Sequence, residues 1–116
     1  MLVTRRDLTP GYQAVQPAHA LSEFAIKYPK TFKNWQVNQK NLVILSVANE
    51  LALGDLFQKA KENNVKAVMF KEPDIGNELT AITLEPCEQT YKLTSSLPLA
   101  LKEYSDMRES RKASGG

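Results

Sequence analysis

The sequence is poor in the residues that build cross-links and metal sites. It has one cysteine, Cys87, and one histidine, His19, among 116 residues. An intramolecular disulfide is therefore excluded, as is a His/Cys zinc site within a single chain. No cofactor is indicated, and Cys87 is expected to be an inert thiol because no His or Lys stands beside it. The lone cysteine and the lack of a signal peptide are typical of a cytoplasmic protein.

Charge of one sign and long hydrophobic runs are also scarce. Fifteen Lys and Arg against thirteen Asp and Glu give a net charge of +2, which demands neither a nucleic acid nor an anionic membrane as partner. No apolar run approaches the roughly 18 residues that a membrane helix needs. With 42% hydrophobic and 24% charged residues, the composition is that of one globular domain. We expect this domain to span 1–109, followed by a polar tail over 110–116.

Hydrophobic patterns predict an α/β fold. Strands are expected at 1–4, 41–48, 65–71 and 79–84, and the run 42–45 is typical of a central strand that is buried on both faces. A helix over 14–28, distorted at Pro17, and an irregular or short helical link over 30–40 are expected between the first two strands. This alternation predicts a four-stranded mixed sheet with helices on both faces. The short polar loop over 72–78 permits an antiparallel hairpin.

Helix faces and ends are predicted from spacing and capping. Asn49 is a good N-cap for a helix that ends at Asn63-Asn64. A short helix is expected at 87–93 and a last one from Pro98. The apolar face of the first long helix is expected at Ala14, Ala18, Leu21, Ala25 and Tyr28 and is widened by Phe24. That of the second is expected at Leu53, Leu56, Phe57 and Ala60.

Local stretches between about residues 2 and 94 follow a recognisable order. A strand runs into Arg5-Arg6-Asp7-Leu8, and the next helix begins with Gly11, Ala14, Gln16, His19 and Ala20 in a fixed frame. Trp35, Gln39-Lys40 and the segment 55–62 follow. In these residues the chain resembles the archaeal and eukaryotic type of peptidyl-tRNA hydrolase. The resemblance implies that family's mixed sheet, neighbouring first and fourth strands, a homodimer, and a tRNA 3′ end as partner.

The chain departs from the family at the residues expected to act on the ester. The family's helix-start lysine is replaced by Tyr12, and its Asp-Ala-Gly-Arg-Thr loop by the shorter segment 72–78. Glu72 lies near the family's acidic position, and Thr80 near its strand-four threonine. A cation beside the ester between peptide and tRNA would steady the developing oxyanion, and losing such a group typically costs about 10²–10³ in rate. A phenol cannot replace an ammonium in that role.

The resemblance and the residue types together predict a cleft between the start of the first long helix, the end of strand one and the loop before strand four. If the protein is active, the catalytic residues are expected to be His19, Glu72 and Asp74. Ligand contacts are expected from Arg6, Asp7, Tyr12, Gln16, Asn77 and Thr80, and no metal is expected.

Each of these residues also has an ordinary structural explanation. His19 has no visible partner for catalysis and is typical of a half-buried helix residue. Asp7 suits a turn, Thr80 suits an ordinary strand position, and Tyr12 suits packing at a helix entrance as well as stacking on a base. The structural explanation of Glu72 and Asp74, on either side of Pro73, is that they are the solvated side chains of an exposed loop.

Three functions remain open. The first is binding of a nucleotide or an RNA 3′ end without hydrolysis, as a regulator or a sponge for a nucleotide signal. The second is a peptidyl-tRNA hydrolase with a rearranged site, in which Glu72 or Asp74 activates water. The third is a protein interaction module that docks through the segment 97–111. Trp35 is expected to be an anchor of the core or of an interface. For the homodimer, the expected sources of extra buried surface are Tyr28, Trp35 and the C-terminal segment.

Overall fold

The predicted sheet and its helical layers are present in the structure. A computed structural model describes residues 1–101; the predicted tail and most of the predicted last helix lie outside this range. The helices and strands, in chain order, are β1 (Leu2–Arg5), α1 (Pro10–Lys27), α2 (Pro29–Asn38), β2 (Ile44–Val47), α3 (Glu50–Glu62), β3 (Ala67–Glu72), β4 (Glu78–Leu84) and α4 (Glu88–Thr94), with a 3₁₀ turn at Pro73–Ile75.

The strand order β2-β1-β4-β3 puts β1 and β4 in the middle of the sheet. β1 is parallel to β2 and antiparallel to β4, and β3 and β4 form the expected antiparallel hairpin. The prediction that β2 is central is wrong, because β2 lies at one edge. Leu42 is outside that strand and 52% exposed. An apolar run marks burial only where the sheet continues on both sides.

The two faces of the sheet have separate apolar cores. On one face, α1 and α2 bury Phe24 and Trp35 against Leu2 and Val68. Trp35 is 1% exposed and donates its indole N–H to the carbonyl of Asn41. It is thus a core residue, and the prediction that it adds buried surface to a dimer is wrong. On the other face, α3 and α4 cover a core built from Val3, Leu53, Leu56, Ala60, Ile82 and Leu84.

The inner face of α1 differs from the predicted one. Ala14 and Ala18 are exposed. The buried residues of α1 are Gln13, Gln16, Pro17, Ala20 and Phe24, of which the predicted stripe contains only Phe24. The predicted stripe counted apolar residues only, whereas this helix buries two glutamines that hydrogen bond inside the fold. Pro17 lies within the helix, which is continuous from Pro10 to Lys27.

The ends of the other helices agree with the sequence except at the last one. The side chain of Asn49 accepts a hydrogen bond from the amide of Ala52 and caps α3. The residues from Pro98 do not begin a helix within the described range: Leu99 pairs with Leu45, and the carbonyl of Pro98 accepts from the amide of Ser46. This segment therefore covers the outer edge of β2. Among residues 1–101, no helix is both long and apolar enough to cross a membrane.

Candidate ligand-binding site

Three of the predicted site residues form one hydrogen-bonded cluster. The hydroxyl of Thr80 on β4 donates to Oε1 of Gln16 on α1 across 2.6 Å. Nε2 of the same glutamine donates to Oε1 of Glu72, at the end of β3, across 3.2 Å. Gln16 is 1% exposed and Thr80 is fully buried, whereas Glu72 is half-buried. The glutamine thus links a buried hydroxyl to a carboxylate that reaches the surface.

A register shift in the hairpin places Thr80 in this cluster. Phe70 pairs with Ala81, but Lys71 pairs with Leu79, so β4 has one extra residue at Thr80. Such a bulge redirects a side chain without breaking the strand. Thr80 is held from its other side by Thr4, whose hydroxyl donates to the carbonyl of Thr80. The predictions of direct ligand contact by Gln16 and Thr80 therefore do not fit the burial of both side chains. In the structure Gln16 bonds Glu72 directly, and Thr80 bonds Gln16.

The α1 residues around this cluster share one face of the helix. Tyr12 precedes Gln16 by four residues and His19 follows it by three, spacings that align side chains along a helix. Tyr12 is half-buried. The ring of His19 stacks on Phe70 of β3, with 4.6 Å between centroids and 9° between planes. Two aromatic side chains therefore flank Gln16.

The loop between β3 and β4 adds exposed polar groups beside Glu72. Asp74 and Asn77 are both exposed, and neither side chain makes a hydrogen bond within residues 1–101. The loop is closed by the amide of Asn77, which donates to the carbonyl of Glu72 across 2.9 Å. Gly76 and Asn77 have φ of 74° and 60°, a conformation that glycine and asparagine adopt more readily than other residues.

The two arginines after β1 have different surroundings, and neither joins the cluster. Arg6 reaches towards β2, where its guanidinium donates to the carbonyl of Ser46. Arg5 is buried, with its Nε and Nη2 each 2.9 Å from Asp7 and its Nη1 2.8 Å from Glu78. The hydrogen bonds that Arg5 donates to Asp7, followed by the one that it donates to Glu78, raise the pKa of Arg5. The bond from Arg5 lowers the pKa of Asp7 below its usual value. Arg6 and Asp7 are both exposed, and their ligand contacts stay predictions from the sequence.

Comparison with known proteins decides the family. The sequence profile described as Peptidyl-tRNA hydrolase PTH2 matches residues 1–100. The chain belongs to the peptidyl-tRNA hydrolase PTH2 family. A solved structure of a protein of unknown function from Agrobacterium tumefaciens is similar, with a TM-score of 0.63 and 14% identity over 84% of this chain and 93% of that one. At that identity the likeness shows a shared fold. None of the curated proteins matches the sequence.

By the sequence resemblance, this PTH2 protein departs from its family at Tyr12 and in the loop over 72–78. The position of Tyr12, one helical turn before Gln16, holds a lysine in the family pattern. A tyrosine there supplies an aromatic ring and a neutral hydroxyl in place of a cation. Within residues 1–101, no three His, Cys, Asp or Glu side chains are grouped to hold a metal ion. The described part of this PTH2 domain therefore offers a polar, partly aromatic surface.

Some contacts around the site of this PTH2 protein were not predicted. Phe70 belongs to an apolar strand in the sequence, and nothing in the sequence around Phe70 or His19 indicates that the two rings stack. The salt bridges of Arg5 to Asp7 and Glu78 were also missed. The sequence does indicate the salt bridge to Asp7, because the acid stands two residues after Arg5 at the end of a strand.

Proposed function

We propose that this PTH2 protein binds a nucleotide or the 3′ end of an RNA without cleaving an ester. The observation that carries the proposal is Tyr12 at the position of the family's lysine, on the turn before Gln16. Hydrolysis of an ester needs charge stabilisation as the oxyanion develops. The neutral phenol does not provide it, and Arg5 and Arg6, the two arginines considered as replacements, are bonded elsewhere.

Ligand recognition is supported by the polar groups that remain at the surface. Glu72 is oriented by Gln16 and is half-buried, and Asp74 and Asn77 follow it on an exposed loop. These groups suit ribose hydroxyls and the amino groups of bases. Each such contact adds about 0.5–1.5 kcal/mol, or about 1.5–3 kcal/mol where one group is charged. Tyr12 can add stacking on a base.

A hydrolase with a rearranged site is the second candidate function. The observation in its favour is that the cluster of Gln16, Glu72 and Thr80 is fully assembled. In that case Glu72 or Asp74 would activate the attacking water. The two candidates differ in whether the unmodified protein turns over a peptidyl ester.

Turnover of a peptidyl-tRNA mimic separates the two. We expect the unmodified protein to bind the mimic and leave its ester intact, and Tyr12→Lys to gain measurable hydrolysis. Tyr12→Met is the matched control, since it has an unbranched side chain without charge. Gln58→Lys adds the same charge on α3, on the opposite face of the sheet, and is expected to leave the ester intact. Efficient hydrolysis by the unmodified protein would establish the second function in place of the first.

Two further expectations accompany this proposal. The resemblance to the family implies a homodimer, and we propose that assembly for this chain, with half-buried Tyr28 as a contributor. Light scattering at micromolar concentrations and above is expected to give twice the chain mass, and the mass of one chain would contradict it. The cytoplasmic location stays a prediction from the sequence.

A further inference from the structure

The stacked pair of His19 and Phe70 presents an open aromatic surface next to the cluster. The two rings lie 4.6 Å apart and almost parallel, so one face of the imidazole is covered by Phe70. His19 is nevertheless an exposed residue, and Phe70 is the one aromatic ring that stacks on it within residues 1–101. Phe70 belongs to β3 and is paired with Ala81 in the hairpin. The sheet therefore holds the ring that orients the imidazole.

The contacts of His19 favour stacking over proton transfer. Within residues 1–101 the imidazole makes no hydrogen bond to a carboxylate or hydroxyl. A general base is normally held by such a partner, which sets its tautomer and its direction. The parallel contact with Phe70 instead sets the plane of the ring, which is the geometry that a base needs for stacking.

Tyr12 and His19 lie on the same face of α1, seven residues apart. Seven residues correspond to about 10.5 Å along a helix. Gln16 and the carboxylate of Glu72 lie between them. One mononucleotide stacked on Tyr12 would leave the imidazole uncovered, whereas a splayed single strand can place successive bases on both rings.

We propose that the outer face of His19 is a stacking platform for a second nucleobase. The ligand class is accordingly a single-stranded oligonucleotide end with at least two bases, and not a mononucleotide. The inference rests on the proposed function, because it assigns a further contact to the same ligand. His19 then acts as a binding residue, which differs from its predicted role as a general base.

Calorimetric titration with three small nucleotide ligands tests whether a second base adds to the affinity. The ligands are adenosine 5′-monophosphate, the 5′-phosphorylated dinucleotide pApA, and the same dinucleotide without its second base. Stacking of one base is worth about fivefold in affinity or more. We expect the unmodified protein to bind pApA tighter than the mononucleotide by at least that factor. The dinucleotide without the second base is expected to bind like the mononucleotide, since its extra phosphate alone does not supply the gain.

Substitutions of His19 assign the gain to its ring. His19→Ala is expected to remove the advantage of pApA, and His19→Phe to retain it because stacking needs no proton. Ser22→Ala, one turn further along the exposed side of α1, is the control and is expected to keep the advantage. Circular dichroism confirms the fold of each variant.

The outcomes separate this inference from the function on which it rests. Equal affinity of the unmodified protein for the mononucleotide and pApA would overturn the stacking of a second base on His19. It would not contradict the proposed binding of a nucleotide. An advantage of pApA that persists in His19→Ala, or that is lost in His19→Phe, would overturn the role of the ring. If the protein binds none of the three ligands, the proposed function itself is overturned.

Discussion

The hydroxyl of Thr80 lies 2.6 Å from Oε1 of Gln16, and the two residues are 64 positions apart in the sequence. This bond joins the first long helix to a bulge in a central strand. Both side chains are buried, so if one of them were lost, the other would have no water to bond in its place, and the folded state would be destabilised. The stability of the fold and the orientation of Glu72 therefore depend on the same pair.

Removing the hydroxyl of Thr80 is expected to destabilise the protein. Thr80→Val leaves Oε1 of Gln16 buried without its donor, which costs about 1–3 kcal/mol. Urea denaturation measures the loss, with Trp35 as the fluorescent probe. This residue is the only tryptophan and is buried in the core beneath α1, so its emission shifts when the chain unfolds.

Thr83→Val is the matched control for Thr80→Val. Thr83 lies three residues later on β4, is equally buried, and its hydroxyl has no hydrogen-bond partner within residues 1–101. Replacing that hydroxyl by a methyl group is expected to be neutral or stabilising. Equal losses in the two variants would contradict the importance of the bond to Gln16.

The loop residues Asp74 and Asn77 are expected to contribute to ligand affinity. Asp74→Ala combined with Asn77→Gly should weaken binding of pApA by roughly tenfold or more, because two polar contacts are removed. Glycine is used at Asn77 because φ there is 60°, where alanine would add backbone strain. Calorimetry gives the dissociation constants. Asp55→Ala, exposed on the opposite face of the sheet, is the control, and an unchanged affinity in the double variant would exclude the loop from the site.

Acid is expected to weaken the folded state through Asp7. The bond from Arg5 lowers the pKa of Asp7 below its value of 3.8 in an unfolded chain. Near pH 3.8 the folded state therefore binds fewer protons at Asp7 than the unfolded state does. The contribution of Asp7 to stability is fully present above that pH and is lost as the pH falls through the pKa of Asp7 in the folded state.

Asp7→Asn tests this contribution. The free energy of unfolding of the unmodified protein should decrease more steeply below about pH 4 than that of the variant. Asp74→Asn, whose carboxylate has no ion pair within residues 1–101, is the control and is expected to follow the unmodified protein. Parallel curves for Asp7→Asn and the unmodified protein would show that the salt bridge adds nothing.

The cap of α3 is expected to contribute measurably to stability. Asn49→Ala removes the acceptor that binds the amide of Ala52, and such a loss costs about 1 kcal/mol. Asn49→Asp retains an acceptor at the same place and should keep most of the stability. Thermal unfolding compares the three proteins, and an alanine variant as stable as the unmodified chain would contradict the prediction.

Much of the fold could be predicted because the pattern of each segment agrees with its place in the sheet. The strands at 65–71 and 79–84, the cap at Asn49 and the apolar face of α3 depend on local spacing and local chemistry. The exceptions depend on distant contacts. β2 is apolar and yet lies at an edge, and within residues 1–101 Leu99 pairs with it where the sequence predicts the start of a helix.

The candidate site was predictable in its residues more than in its geometry. The resemblance placed Gln16, Glu72 and Thr80 near each other, and the structure connects them by hydrogen bonds. The burial of Gln16 could not be predicted from periodicity, since a glutamine becomes an inner residue only when a distant partner satisfies it. The bulge at Thr80 is equally invisible in sequence, because it depends on the register between β3 and β4.

Because of Pro17, α1 lacks one of its backbone hydrogen bonds. Proline has no backbone N–H, so the carbonyl of Gln13 lacks the donor that would normally come from four residues ahead. Tyr12 lies before that point and His19 after it. The part of α1 that separates the two aromatic residues of the candidate site therefore contains a position at which a helical hydrogen bond is absent, whereas the sheet beneath it is continuous.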